Sequence, residues 1–189
     1  QISLMSIVIA TMVGLGLGIM ISMYRKSSST VLGLTNFIYT IPSIALFGFL
    51  IPFSGIGNTT AIIALSIYAL LPMVHNTYTG IIGIDKEIIE AARGMGSTTF
   101  QILYKIQIPL AFPVILSGIR NMVVMTIALT GIAAFIGAGG LGVAIYRGIT
   151  TNNSAMTIAG SLLIALLALL ADWGVGRDEK HIKRKRKLL

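Results

Sequence analysis

Cysteine is absent from the 189 residues, which excludes disulfides and thiolate metal sites. Acidic side chains are scarce, six Asp and Glu against fourteen Lys and Arg, and none falls between Glu90 and Asp172. No charged residue of either sign occurs between Lys26 and Asp85, and the histidines are only two, His75 and His181. An enzyme active site needs convergent carboxylates, a metal cluster or a nucleophile–base pair, and these absences leave almost nothing to build one from. They also argue against a soluble fold. An ordinary soluble domain is about 25% charged, whereas this chain is 11% charged and 55% hydrophobic.

The apolar residues are gathered into long runs. A helix crossing the bilayer core needs about 20 of them, and five segments meet that requirement: 2–23, 31–51, 58–78, 111–135 and 155–173. The expected fold is an all-α membrane protein of five transmembrane helices. The chain opens on Gln1 rather than Met, which reads as a start partway along a longer protein. A signal peptide would need a basic start and a shorter core, and neither is visible. Pro42, Pro72 and Pro113 lie within or at the ends of spans, where neighbouring helices can re-satisfy the freed carbonyls. Gly14, Gly16, Gly18, Ala159, Gly160 and Ser161 would let helices approach closely.

Positive charge sets the orientation. Arg25 and Lys26 follow the first segment, and Lys86, Arg93 and Lys105 lie between the third and fourth. Arg177, Lys180 and the run from Lys183 to Lys187 follow the fifth. Alternating spans bring all of these to one face, the cytoplasmic one, and leave only Arg147 opposite. The N-terminus is therefore expected outside and the C-terminus in the cytoplasm. Residues 1–176 read as the membrane domain and 177–189 as a basic cytoplasmic tail. Such a tail can bind nucleic acid, but one emerging directly from a span reads instead as an anchor on anionic lipid.

Gly137-x-Gly139-x-x-Gly142 matches a dinucleotide-binding fingerprint on paper. That fingerprint needs a preceding strand and an acidic residue about 20 positions on. Here the glycines follow a membrane segment and no acidic residue comes before Asp172. The segment also lacks the Lys-Ser or Lys-Thr of a phosphate-binding loop. Gly137, Gly139, Gly140 and Gly142 are expected instead to form a tight re-entry at the outer end of the fourth helix, either as part of a gate or as a purely structural turn.

The segment between the third and fourth spans is too long for a hairpin turn. Asp85 can cap a helix with Glu87 in its first turn, and Ile88, Ile89, Ala92 and Met95 recur at helical spacing. Gly94 and Gly96 interrupt it. Thr98 and Gln101 then read as a capping box for a second helix with Phe100, Leu103 and Tyr104 on its apolar stripe, and Pro109 marks the start of the fourth span. The small residues leave a low ridge that another protein could grip; by these features alone, a helix lying in the membrane interface fits equally well.

Glu90-Ala91-Ala92, then three residues to Gly96, nine to Ile106 and one to Ile108-Pro109 resembles the EAA motif of permease subunits of binding-protein-dependent ABC importers, with Ile108 where the family pattern has Leu. "TIPSIALFGFLIPFSGIG", "YALLPMVHNTYTGI", "IPLAFPVILSGIR" and "AAFIGAGGLG" extend the resemblance to the osmoprotectant subgroup, which imports glycine betaine, carnitine, choline and proline betaine. The methionine-importer permeases share the plan less closely. The resemblance implies a type I ABC importer permease fold in the bacterial plasma membrane, with a cytoplasmic coupling-helix loop at about 85–108. Glu90, Ala91, Ala92 and Gly96 would carry the coupling role, with Arg93, Gly94, Met95, Ser97 and Thr98 beside them on the ATPase. It also implies two ATPase subunits holding ATP and Mg, a second permease chain, identical or closely related, and an extracytoplasmic substrate-binding protein. No cofactor or metal is expected on this chain, and it is not expected to be an enzyme.

Ionisable groups inside spans are functional suspects, and few are visible. Arg120 reads as snorkelling to the cytoplasmic interface, Asp172 as ending the fifth helix beside the interface anchor Trp173, and His75 as packed. A nearly neutral route suits a zwitterion or a quaternary ammonium, whose aromatic cage is expected on the binding protein. Tyr39, Thr40, Ser43, Met73, Asn76 and Met125 are candidates for the pathway or gate, with plain helix packing as the alternative for each. Another small amino-acid-like or betaine-like solute is the nearest alternative cargo. An ion-coupled secondary carrier is more distant, since it would want an intramembrane relay.

Overall fold

The computed structural model describes residues 1–186, with the side chains of Arg25, Asp178 and residues 180–186 outside that description. Of the expected basic tail over 177–189, residues 187–189 lie outside the described residues, and most of the side chains before them are likewise undescribed. Among those described, the chain is all α, with no strand.

Helix α1, Ile2–Met23, follows the expected first span. Its buried positions Ser6, Ala10, Gly14 and Gly18 recur every fourth residue and so form one stripe. That stripe packs along α4, Asn58–Ile82, the central helix of the bundle. A Cβ at Gly14 would lie 2.7 Å from the Met73 Cβ, and one at Gly18 would lie 2.5 Å from the Thr77 Cβ. Only glycine permits so close a helix approach without aid from a hydrophobic effect, which lipid does not supply. Gly16 meets nothing within 4 Å and faces away. Ser6 Oγ sits between two carbonyls, Ile2 O at 3.1 Å and Ile62 O at 3.2 Å, which ties the two helices near their N-terminal ends.

The second span departs from the expected continuous helix. It is broken into α2, Arg25–Thr40, and α3, Ser43–Ser54, bent by 99°. Pro42 is the cause: it lacks an N–H and forces the residue before it out of the helical region. Ile41 is extended at φ −71°, ψ 127°. The carbonyl freed at Ile41 accepts a hydrogen bond from the hydroxyl of Tyr68 on α4.

After α4 comes the short helix α5, Lys86–Gly94. The second loop helix is not a separate cytoplasmic element as expected. The Thr98 box starts α6, Thr99–Ile102, which passes through a π turn at Leu103–Gln107 into α7, Ile108–Ile132, and a 3₁₀ turn at Ala133–Ile136. Pro109 does not break this run, because the wider π turn immediately before it absorbs the missing helical bond.

Helix α8, Gly142–Thr150, has no counterpart in the expected spans; nine residues are too few to cross. It packs on α9, Ser154–Arg186, where Gly160 lies against Ala144 and Ile145. The expected fifth span stopped at 173, but α9 carries on well past it. Only 6% of the apolar stretch of α9 is buried, against 50% of that of α4. Leu162, Leu166 and Leu169 stand exposed along it, as suits a lipid-facing helix.

Candidate functional site

Three places gather the candidate residues. At the first, α5 projects from the bundle and carries most of the coupling candidates on its open side: Glu90, Ala91, Arg93 and Gly94 are exposed, and Met95 just beyond is 79% exposed. Ala92 is turned inward at 1% exposure and seats the helix. The expected stripe of Ile88, Ile89, Ala92 and Met95 is thus not a buried face, since Ile88 and Met95 point outward. Asp85 occupies the N-cap position but makes no capping bond. Gly96 turns the chain at φ +81°, a left-handed conformation that costs other residues about 1–2 kcal/mol. Ser97 is half-buried beside it. The capping box forms as expected: Gln101 N–H donates to Thr98 Oγ1 at 3.3 Å, and Thr98 N–H to Gln101 Oε1 at 2.9 Å. Leu103 is buried, whereas Phe100 and Tyr104 stack in parallel, ring centroids 6.5 Å apart, and are exposed rather than packed on the bundle.

The glycine cluster forms the second place. The 3₁₀ turn ends at Gly137 with φ +76°, and Gly140 follows at +107°. A Cβ at Gly142 would strike the carbonyl oxygen of Gly131, so the start of α8 lies directly on the end of α7. The Gly139 N–H donates to Asn58 Oδ1 at 2.9 Å, which fastens the turn to the first residue of α4.

The third place is an open cavity of about 550 Å³ between α2, α4, α7 and α9. Tyr39, Asn76 and Met125, three of the pathway candidates, line it together. The Tyr39 hydroxyl donates to Met125 Sδ at 3.5 Å, and its ring meets that of Tyr68 edge-on, centroids 6.1 Å apart. The other candidates lie elsewhere. Met73 is fully buried against α1, the Thr40 hydroxyl is turned back onto Phe37 O at 2.7 Å, and Ser43 begins α3 beyond the bend. Four further polar residues line the same cavity and were not among the sequence candidates: Asn36, His75, Asn121 and Asp172. The available signal was polar spacing. Asn36 with Tyr39, and Asn121 with Met125, recur at helical intervals inside apolar runs.

Arg120 is held by two carboxylates. Its Nε donates to Asp172 Oδ1 at 2.6 Å and its Nη2 to Asp172 Oδ2 at 2.7 Å. Nη1 reaches Glu179 Oε2 at 3.2 Å, and Glu179 Oε1 accepts from Ser117 Oγ at 2.6 Å. A planar guanidinium matches a carboxylate in this two-pronged way. Asp172 is therefore a half-buried pairing group within α9 rather than its end, while Trp173 stands exposed with the Arg177 guanidinium 4.8 Å over its ring.

Comparison with known proteins accounts for this arrangement. The chain is 43% identical over 188 residues to the glycine betaine/carnitine/choline transport system permease protein OpuCD of Bacillus subtilis, covering 97% of this chain and 82% of that one. It is 46% identical over 170 residues to the osmoprotectant import permease protein OsmW of Salmonella typhimurium, covering 87% and 79%. Its fold matches a chain of the inward-facing MetNI methionine ABC transporter with a TM-score of 0.87, over 96% of this chain and 91% of that one, at 24% identity. Residues 10–184 match the family described as binding-protein-dependent transport system inner membrane component. An all-helical bundle with a projecting α5 and an open cavity between its long helices thus has its place: the chain belongs to that family, as a multi-pass permease subunit of an ABC importer.

Proposed function

We propose that this chain forms the translocation path for a quaternary ammonium osmoprotectant of the glycine betaine, carnitine or choline kind. The observation that carries this reading is its 43% identity over nearly its whole length to a permease of that name. The cavity chemistry supports it. Amides, a tyrosine and a methionine line the space, a set that can accommodate a solute with a greasy cationic end without holding it tightly.

The remaining parts follow from the same reading. A binding protein delivers the solute at the outer face, and a second permease chain completes the path. Two ATPase subunits, carrying ATP and Mg, seat against Glu90, Ala91 and the residues from Arg93 to Thr98. Residues 1–176 are the membrane domain, with the N-terminus outside and 177–189 cytoplasmic. Closure of the ATPase pair moves α5 and rocks the bundle between inward-open and outward-open states.

The test is uptake of labelled glycine betaine, carnitine and choline into vesicles holding the permease, its ATPase and its binding protein. Uptake should stop when hydrolysis is blocked and ignore an imposed ion gradient. Uptake that follows the gradient with hydrolysis blocked would mark an ion-coupled carrier instead.

A further inference from the structure

Among the described residues lining the α2–α4–α7–α9 cavity, Asp172 is the charged one. Its side chain is 35% exposed, although Arg120 holds both of its oxygens. Arg120 does not line that cavity; it lines a neighbouring one, with Trp173, Gly176 and Arg177, which Asp172 borders as well. Asp172 thus stands between the two spaces and is the member of the pair that is open to the first. Each carboxylate oxygen has a second lone pair beyond the one given to Arg120. On another wall stands Tyr39, 47% exposed. A quaternary ammonium donates no ordinary hydrogen bond, so charge and an aromatic face are what can recognise it.

We propose that Asp172 is the specificity-determining anion of the permease cavity, a transient subsite for quaternary ammonium cations whose hold is moderated by Arg120. This rests on the reading of the cavity as the solute path. The pairing gives the subsite its useful property. An unpaired carboxylate at this depth would trap a cation, whereas a carboxylate already committed to a guanidinium offers a weaker site that the solute can leave. A solute carrying its own carboxylate meets attraction at one end and repulsion at the other, so the subsite favours a plain cation over a zwitterion of similar size.

The absence of cysteine supplies the experiment. Asn121→Cys places a single thiol in the cavity wall of the assembled importer in membrane vesicles. Its labelling rates, read on this chain by mass spectrometry, are compared for a trimethylammonioethyl and a sulfonatoethyl methanethiosulfonate, each corrected for its rate on a small free thiol. The cationic reagent should react faster, and Asp172→Asn should reduce that preference about tenfold, as loss of one nearby charge in a partly aqueous site requires. Asp172→Glu should keep it. Choline should slow labelling in the parent and in Asp172→Glu more than in Asp172→Asn. An unchanged rate ratio in Asp172→Asn, or an equal loss in Asp172→Glu, would overturn the subsite and leave the path standing. A thiol that neither reagent reaches, with or without ATP, would overturn the path itself and the subsite with it.

Discussion

Arg120 and Asp172 stand 52 positions apart in the chain, yet two of their bonds are as short as 2.6 and 2.7 Å. The contact adds an ion pair to the packing of α9 against α7. Its removal is therefore predicted to be asymmetric. Arg120→Met alone leaves the half-buried Asp172 carboxylate without its guanidinium, while Arg120→Met with Asp172→Leu removes opposite charges together. Thermal unfolding of the assembled complex in lipid nanodiscs should show the single variant less stable than the double. The reverse order would mean that the pair has no structural role.

The glycine stripe of α1 carries its own control. Gly14→Leu drives a side chain into Met73, whereas Gly16→Leu meets open space. The first should destabilise the bundle by about 1–3 kcal/mol, the usual result of overpacking, and the second should be close to neutral. Melting curves of the two variants, recorded side by side, decide the matter.

Tyr68→Phe removes the hydroxyl that satisfies Ile41 O at the bend between α2 and α3. Tyr68 is 5% exposed, so little water can take the hydroxyl's place. A loss of about 1–3 kcal/mol is expected for the stranded carbonyl. Tyr39→Phe, whose hydroxyl meets only a methionine sulfur, should lose less than half as much in the same unfolding assay.

At the cytoplasmic turn, Gly96→Trp opposes the left-handed backbone at +81° and puts bulk on the face assigned to the ATPase. The permease should still insert. Stimulation of ATP hydrolysis by solute-loaded binding protein should fall at least tenfold, the equivalent of about 1.4 kcal/mol. Measured hydrolysis that stays fully stimulated would remove α5 from the coupling role.

How much of this was legible beforehand depended on the range of the interaction. The α1 span, the Thr98–Gln101 box and the turn at Gly96 are set by residues within one helical turn of each other, and the sequence displays them directly. The break at Ile41–Pro42 was hidden because a proline in a membrane helix can kink, end or merely interrupt it. What decides the outcome is Tyr68, 27 residues away. Arg120 looked like an interface residue for the same reason, since its partners lie 52 and 59 positions on. Polar groups in an apolar chain announce that partners exist; only packing says which. Met73 illustrates the converse, a flexible side chain that could have lined a pathway but instead fills the space left by Gly14.

The helical run from Thr99 to Ile136 is 38 residues long without a gap. At 1.5 Å per residue it measures about 57 Å, nearly twice the thickness of the hydrocarbon layer. One rod thus joins the turn behind α5 to the glycine corner at its other end, and it forms part of the wall of the α2–α4–α7–α9 cavity on the way. In the transport cycle proposed above, tilting such a rod would swing its two ends in opposite directions, so that both mouths of the path would share a single lever. The π turn at Leu103–Gln107 is the natural place for that lever to flex.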